Sequence, residues 1–184
     1  MKLSKNIGAS RALMIVVIAV CLLGGGARSV KKEARKAQKL FFTAGDHDQS
    51  AQADYAGRIA QCANLQVVAG RYLEAGDPAL TGLAAAAESA QTDLEKTDMT
   101  KMATANTAMA TALTQTVLAL QGEALSETDL TYVAGLQTNF ESLGYTLRHN
   151  EYNTRAAAFN QNVRGAFPGR VWAALFRIDA LPLF

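Results

Sequence analysis

Few residues in this chain have the types and spacing that chemistry needs. His47 and His149 are the only histidines. His47 lies in Asp46-His47-Asp48, the nearest approach to a metal-ligand cluster. Three adjacent residues on a turn point in different directions, so they make a poor coordination shell. Cys62 falls on an apolar helical face with Arg58 one turn earlier. A neighbouring cation favours a thiolate, but an apolar face is where an inert core cysteine sits, and that is the expectation. Gly24-Gly25-Gly26 lacks the Lys-Ser/Thr of a phosphate loop and closes an apolar run. No Ser-His-Asp or paired-carboxylate arrangement emerges, so catalytic residues, metal and cofactor are all expected to be none.

The unusual polar residues are asparagines. Asn150, Asn153, Asn160 and Asn162 crowd a stretch that otherwise reads as helix, although Asn is a poor helix former. Tyr152-Asn153 recurs as Phe159-Asn160 seven residues later, which places both asparagines on one line beside an aromatic line. Asparagines flanking a seam bond across to backbone or polar groups of a facing helix and fix its register. Here the expected role is therefore structural rather than ligand-binding.

The elements that must position these residues are helical. Ser50 caps a helix running from Ala51 to Ala75, with Tyr55, Ile59, Cys62, Ala69 and Tyr72 as its buried stripe. Asp77 and Pro78 start a second helix, to about Lys96, and Asp98 a third, from Met99 to Gln121. Ser126 with Asp129 resembles a capping box and opens the last helix, which is expected to continue to about Ala166. Along the third helix, Thr100, Thr104, Thr107, Thr111 and Thr114 form a stripe nearly opposite Met102, Met109, Leu113, Val117 and Leu120. The threonines read as a solvent face or a seam, and the methionines as core filler. Pro168 excludes Phe167 from helical geometry and stops the last helix. After it, Val171, Trp172, Leu175 and Phe176 form an apolar patch that either folds back on the bundle or lies in a membrane interface.

Charge divides the chain. Residues 1–43 carry nine Lys/Arg and one Glu, a net of +8, while residues 44–184 carry nine Lys/Arg and fifteen Asp/Glu, a net of −6. An acidic body argues against a nucleic-acid partner, whose affinity depends on neutralised phosphates. The basic segment brackets "ALMIVVIAVCLLGGG", Ala12 to Gly26, with Arg11 and Arg28. The run is 15 residues long, between a signal-peptide core and a spanning helix. A retained single-pass anchor is the expectation; a cleaved signal peptide and a lipoprotein using Cys21 are the alternatives. Arg28, Lys31, Lys32, Arg35, Lys36 and Lys39 follow the run and lean the body toward the cytoplasm. That cluster reads either as a site for anionic lipid or as a solvated helical continuation.

Together these features imply an all-α chain: an anchor over 1–27, a basic helix over 28–43, an elongated antiparallel four-helix bundle over 44–167 and an apolar tail over 168–184. The final forty residues resemble the LemA family of bacterial membrane-associated helical proteins. The resemblance rests on Tyr152-Asn153, Phe159-Asn160, Val163 and Phe167-Pro168, followed by Ala173 and Leu175-Phe176. Asn64-Leu65 and the N-terminal apolar run are weaker matches. Arg170 stands where the family usually has Asn, and Ala174 and Arg177 replace glycines. The resemblance implies a short anchor carrying a helical bundle, with no catalytic residue to carry over. The function expected is a non-catalytic scaffold or adaptor for unidentified membrane or envelope proteins; a small-molecule-sensing bundle is the alternative.

Overall fold

The computed structural model describes residues 7–43 and 49–184 and is all-helical, with no strand among the described residues. Asp46, His47 and Asp48 lie outside them. Seven α-helices follow in order: α1 (Ile7–Phe42), α2 (Ala51–Ala69), α3 (Pro78–Glu95), α4 (Met99–Leu120), α5 (Glu127–His149), α6 (Glu151–Ala158) and α7 (Gly169–Leu175). A π-helical turn, Phe159–Arg164, continues α6.

Polar side chains start the middle helices where the sequence places them. Ser50 accepts from Ala53 N, Asp77 from Ala79 N, Asp98 from Lys101 N and Ser126 from Asp129 N. Each satisfies a donor that the first helical turn leaves open. Two boundaries differ from expectation. The first bundle helix stops at Ala69 rather than Ala75. Beyond Gly70 the chain turns so that Arg71 and Tyr72 reach Asp129 on α5. The last helix is broken at Asn150, whose ψ of 152° is extended. Its side-chain oxygen accepts from Tyr152 N at 3.0 Å and its amide donates to Gln49 O at 3.3 Å. The residue thus ends α5 and caps α6.

Helices α3 and α4 pack as a hairpin, α2 lies against α3, α4 and α5, and α1 runs beside α6, the π turn and α7. One continuous apolar core joins them, from Val30 on α1 to Leu181. Between α3 and α4, the buried Thr116 hydroxyl donates to Ala79 O at 3.1 Å. The other threonines of α4 are exposed. Four of them donate to the carbonyl one turn back, as with Thr114 to Ala110 O at 2.9 Å. They form a solvent face satisfied by its own helix.

The expected single-pass anchor is not supported. Among the described residues, no helix is long and apolar enough to cross a membrane. The Ala12–Gly26 run spans about 22 Å as helix, against a hydrocarbon core of about 30 Å. Cations close in on both sides, and its last residue is already committed to protein contact. A Cβ on Gly26 would lie 2.3 Å from the Trp172 indole nitrogen, so the bare backbone of α1 is what seats that ring. Ala27 is buried next to it. The lean toward a cytoplasmic body falls with the anchor.

Candidate functional site

The asparagines converge on one task. Asn153 is buried, and its Nδ2 donates to Leu147 O at 2.8 Å, Arg148 O at 3.1 Å and Phe184 O at 3.0 Å. Its Oδ1 accepts from Phe184 N at 3.0 Å. Asn160 repeats the pattern one heptad on, donating to Leu181 O and accepting from Leu181 N, both at 2.8 Å. The Tyr152 hydroxyl donates to Pro182 O at 2.7 Å, and Arg164 Nε to Ile178 O at 3.0 Å. Burial holds the Tyr152 phenol above its ordinary pKa, which keeps it a donor. The bonds go to backbone, as expected, but to the irregular segment after α7 instead of a facing helix.

That segment buries Ile178 and Leu181 and seats Phe184 among aromatics. The Phe184 ring centroid lies 4.8 Å from that of Phe41, 5.9 Å from Tyr55 and 5.8 Å from Tyr152. Phe41, Tyr55 and Tyr152 are fully buried. Helices α1, α2 and α6 therefore meet around one ring from the closing segment.

The remaining motif residues divide between core and solvent. Leu65, Phe159 and Ala173 are buried, Val163 and Asn160 are half-buried, and Asn64 and Pro168 are exposed. Phe167 is 86% exposed, and Leu175 and Phe176 also face solvent. Of the apolar patch after Pro168, only Trp172 turns inward, half-buried against Gly26 of α1, with the neighbouring Ala173 buried beside it. The segment that folds back most fully is 178–184, which sequence patterning did not single out. Its signal was the three-residue spacing of Ile178, Leu181 and Phe184.

Among the described residues no His/Cys/Asp/Glu group could hold a metal ion. Cys62 is fully buried, and burial pushes its thiol up to about 12, with Arg58 opposing weakly. A protonated, enclosed thiol is inert. His149 is on the surface, its Nδ1 2.8 Å from Tyr145 O and its ring stacked on Tyr145.

Two polar features escaped the sequence reading. Tyr72 donates to Asp129 at 2.5 Å, and Arg71 pairs with the same carboxylate at 2.9 Å. The tyrosine hydrogen bond, with Ser126 and Arg71 beside it, holds Asp129 below the usual carboxylate range. Arg58 is buried, its guanidinium 3.9 Å from the Phe140 ring centroid. Desolvation lowers its pKa to about 10.

On the outer side of α1, Arg28, Lys31, Lys32, Arg35, Lys36 and Lys39 are all exposed, while Ala27, Val30, Ala34, Ala37 and Phe41 are buried. The cations form one stripe about 16 Å long at the helical rise. Within it, Lys36 pairs with Glu33 at 2.7 Å. Arg11 is exposed near the other end of α1. A cavity of about 520 Å³ opens between α1 and α6, with Ala37, Leu40, Ala158 and Phe159 among its walls.

Fold and site thus define an all-helical bundle whose distinctive polar feature is side-chain amides clamping backbone, with a cationic face on its first helix. Comparison with known protein families, with curated proteins and with solved structures finds no match to this chain.

Proposed function

We propose that the chain is a non-catalytic scaffold or adaptor, an elongated antiparallel bundle over α2–α5 that presents α1 to a partner. The observation that carries this reading is the stripe of six exposed cations on α1. Its charges repeat every three to four residues, which matches carboxylates at i and i+4 on a facing helix. The partner is accordingly an acidic helical protein surface. The resemblance of Tyr152-Asn153, Phe159-Asn160 and Phe167-Pro168 to the LemA family supports the same reading, since Tyr152, Asn153, Phe159 and Asn160 have roles in packing and backbone hydrogen bonding rather than in chemistry.

The test is affinity capture of tagged full-length chain at native expression. A reproducible acidic partner is expected, lost in the triple variant Lys31→Glu, Lys32→Glu, Arg35→Glu and weakened as salt screens exposed charge. Recovery of bait alone, or a stripe that titrates only with anionic vesicles, would overturn the proposal. A second reading rests on the cavity between α1 and α6, whose size suits a small molecule. Thermal shift against a metabolite panel separates the two, because a ligand at 100 times its Kd adds about 2.7 kcal/mol.

A further inference from the structure

The clamp is regularly spaced on the segment side, against helix-side steps of seven residues from Asn153 to Asn160 and four from Asn160 to the longer Arg164. Arg164 holds Ile178, Asn160 holds Leu181 and Asn153 holds Phe184, so the segment is gripped at every third residue in antiparallel sense to α6 and the π turn. Seven helical residues advance about 10.5 Å. Three residues of polyproline II advance about 9.3 Å. The heptad between Asn153 and Asn160 therefore matches the three-residue repeat of an extended peptide, and Pro182 sits within it.

We propose that Tyr152, Asn153, Asn160 and Arg164 form a peptide-binding groove, that segment 177–184 is its resident, and that an extended peptide of a partner protein with two aliphatic side chains and one aromatic at three-residue spacing takes its place. Four observations carry this. Every polar contact goes to backbone N–H or C=O, so the clamp reads peptide rather than a particular sequence. Specificity resides in the seats for Ile178, Leu181 and Phe184, while Asp179, Ala180 and Leu183 face solvent. On the groove side, Asn153 Nδ2 also donates to Leu147 O and Arg148 O of the helices that carry it, so its orientation does not rest on the segment alone. The resident has a release point: Phe176 and Arg177 are exposed, and Arg177 sits at φ 48°, a left-handed conformation that disfavours a non-glycine residue. A resident tethered in cis competes at high effective concentration, so the partner peptide binds tightly only when the segment is weakened or outmatched. None of this depends on the α1 stripe, and the charge-reversal variant leaves the groove residues untouched.

The probe is a fluorescein-labelled peptide with the sequence of residues 177–184, titrated by anisotropy into the full chain carrying Leu181→Asp, with its folding checked by circular dichroism. Saturable one-to-one binding is expected, at least tenfold tighter than to the wild-type chain, and weakened tenfold or more by adding Asn160→Ala. A peptide with its apolar residues shifted by one position should not bind. A folded Leu181→Asp chain that ignores the peptide, or binding indifferent to Asn160→Ala, overturns the proposal. So does a wild-type dimer with exchanged segments by light scattering, since the occupant would then be a second copy. Hydrogen exchange on the wild-type chain gives an independent reading. The Leu181 and Phe184 amides should exchange by local opening, faster than those of Leu65 and Leu83; exchange only through global unfolding overturns the proposal.

Discussion

At the residue scale, Asn153 and Asn160 show why a poor helix former is worth its place. An amide side chain carries an NH2 and a carbonyl oxygen side by side, so it can donate to the C=O and accept from the N–H of a single extended residue at once. Asn153→Ala would remove the side-chain partner of Phe184 N and O and one partner each from the Leu147 and Arg148 carbonyls. Denaturant unfolding should show a loss of about 2–3 kcal/mol, and about 1–2 kcal/mol for Asn160→Ala. Equal stability of the Asn153 variant and wild type would mean the segment is not held. Asp129 gives a pH-dependent counterpart. Its folded pKa is depressed by Tyr72, Ser126 and Arg71, so its contribution is fully present above the unfolded carboxylate value and lost as pH falls through the folded one. Stability should therefore decline in acid below about pH 4, and Tyr72→Phe should flatten that decline while raising the Asp129 pKa read by NMR. An unchanged Asp129 titration in Tyr72→Phe would count against the hydrogen bond as cause.

At the element scale, the helix starts were legible because caps are local: Ser50, Asp77, Asp98 and Ser126 each declare themselves within four residues. The break at Asn150 was harder to read. The apolar stripe ending at Leu147 resumes five residues on at Tyr152, which reads as one stripe shifted slightly around the axis, and only the His149-Asn150-Glu151 order carries the signature of one helix ending and another starting. The partner of the asparagines was illegible for another reason, since burial of 178–184 depends on a groove built from α1, α2 and α6. The seating of α7 is the same kind of long-range fact, and it can be checked directly. Trp172 is the only tryptophan, and its indole rests on the bare backbone of Gly26. Gly26→Ala should push the ring outward, red-shift its emission and cost about 1–3 kcal/mol through overpacking. Gly25→Ala has nothing within 4 Å, so it should leave the spectrum unchanged and stabilise the helix by about 0.5–1 kcal/mol. Identical spectra for the two variants would remove Gly26 from the contact.

At the scale of the whole molecule, the question is whether α1 with α6 and α7 unfolds together with α2–α5. Two groups of helices sharing only a peripheral contact would melt separately. Here the groups share a fully buried ring, Phe41, which sits on α1 and packs edge-on against Tyr55 of α2 and Tyr152 of α6 at 6.4 and 5.3 Å between centroids. Phe184 closes the cluster from the other side. The same cluster supports the segment clamped by Asn153, so the groove's floor and the joint between the two helix groups are one structure. Such an arrangement makes the wild-type chain unfold in a single transition, with calorimetric and van't Hoff enthalpies equal. Phe41→Ala removes the shared ring, at a cost of about 3–5 kcal/mol, and falls on both groups at once. The expected scan is then two resolved transitions, with Trp172 fluorescence following the earlier one because it reports the α1–α7 contact. If Phe41→Ala lowers Tm but keeps one transition, with Trp172 fluorescence and far-UV circular dichroism superimposing, the helices are coupled through the rest of the core and Phe41 is not the joint.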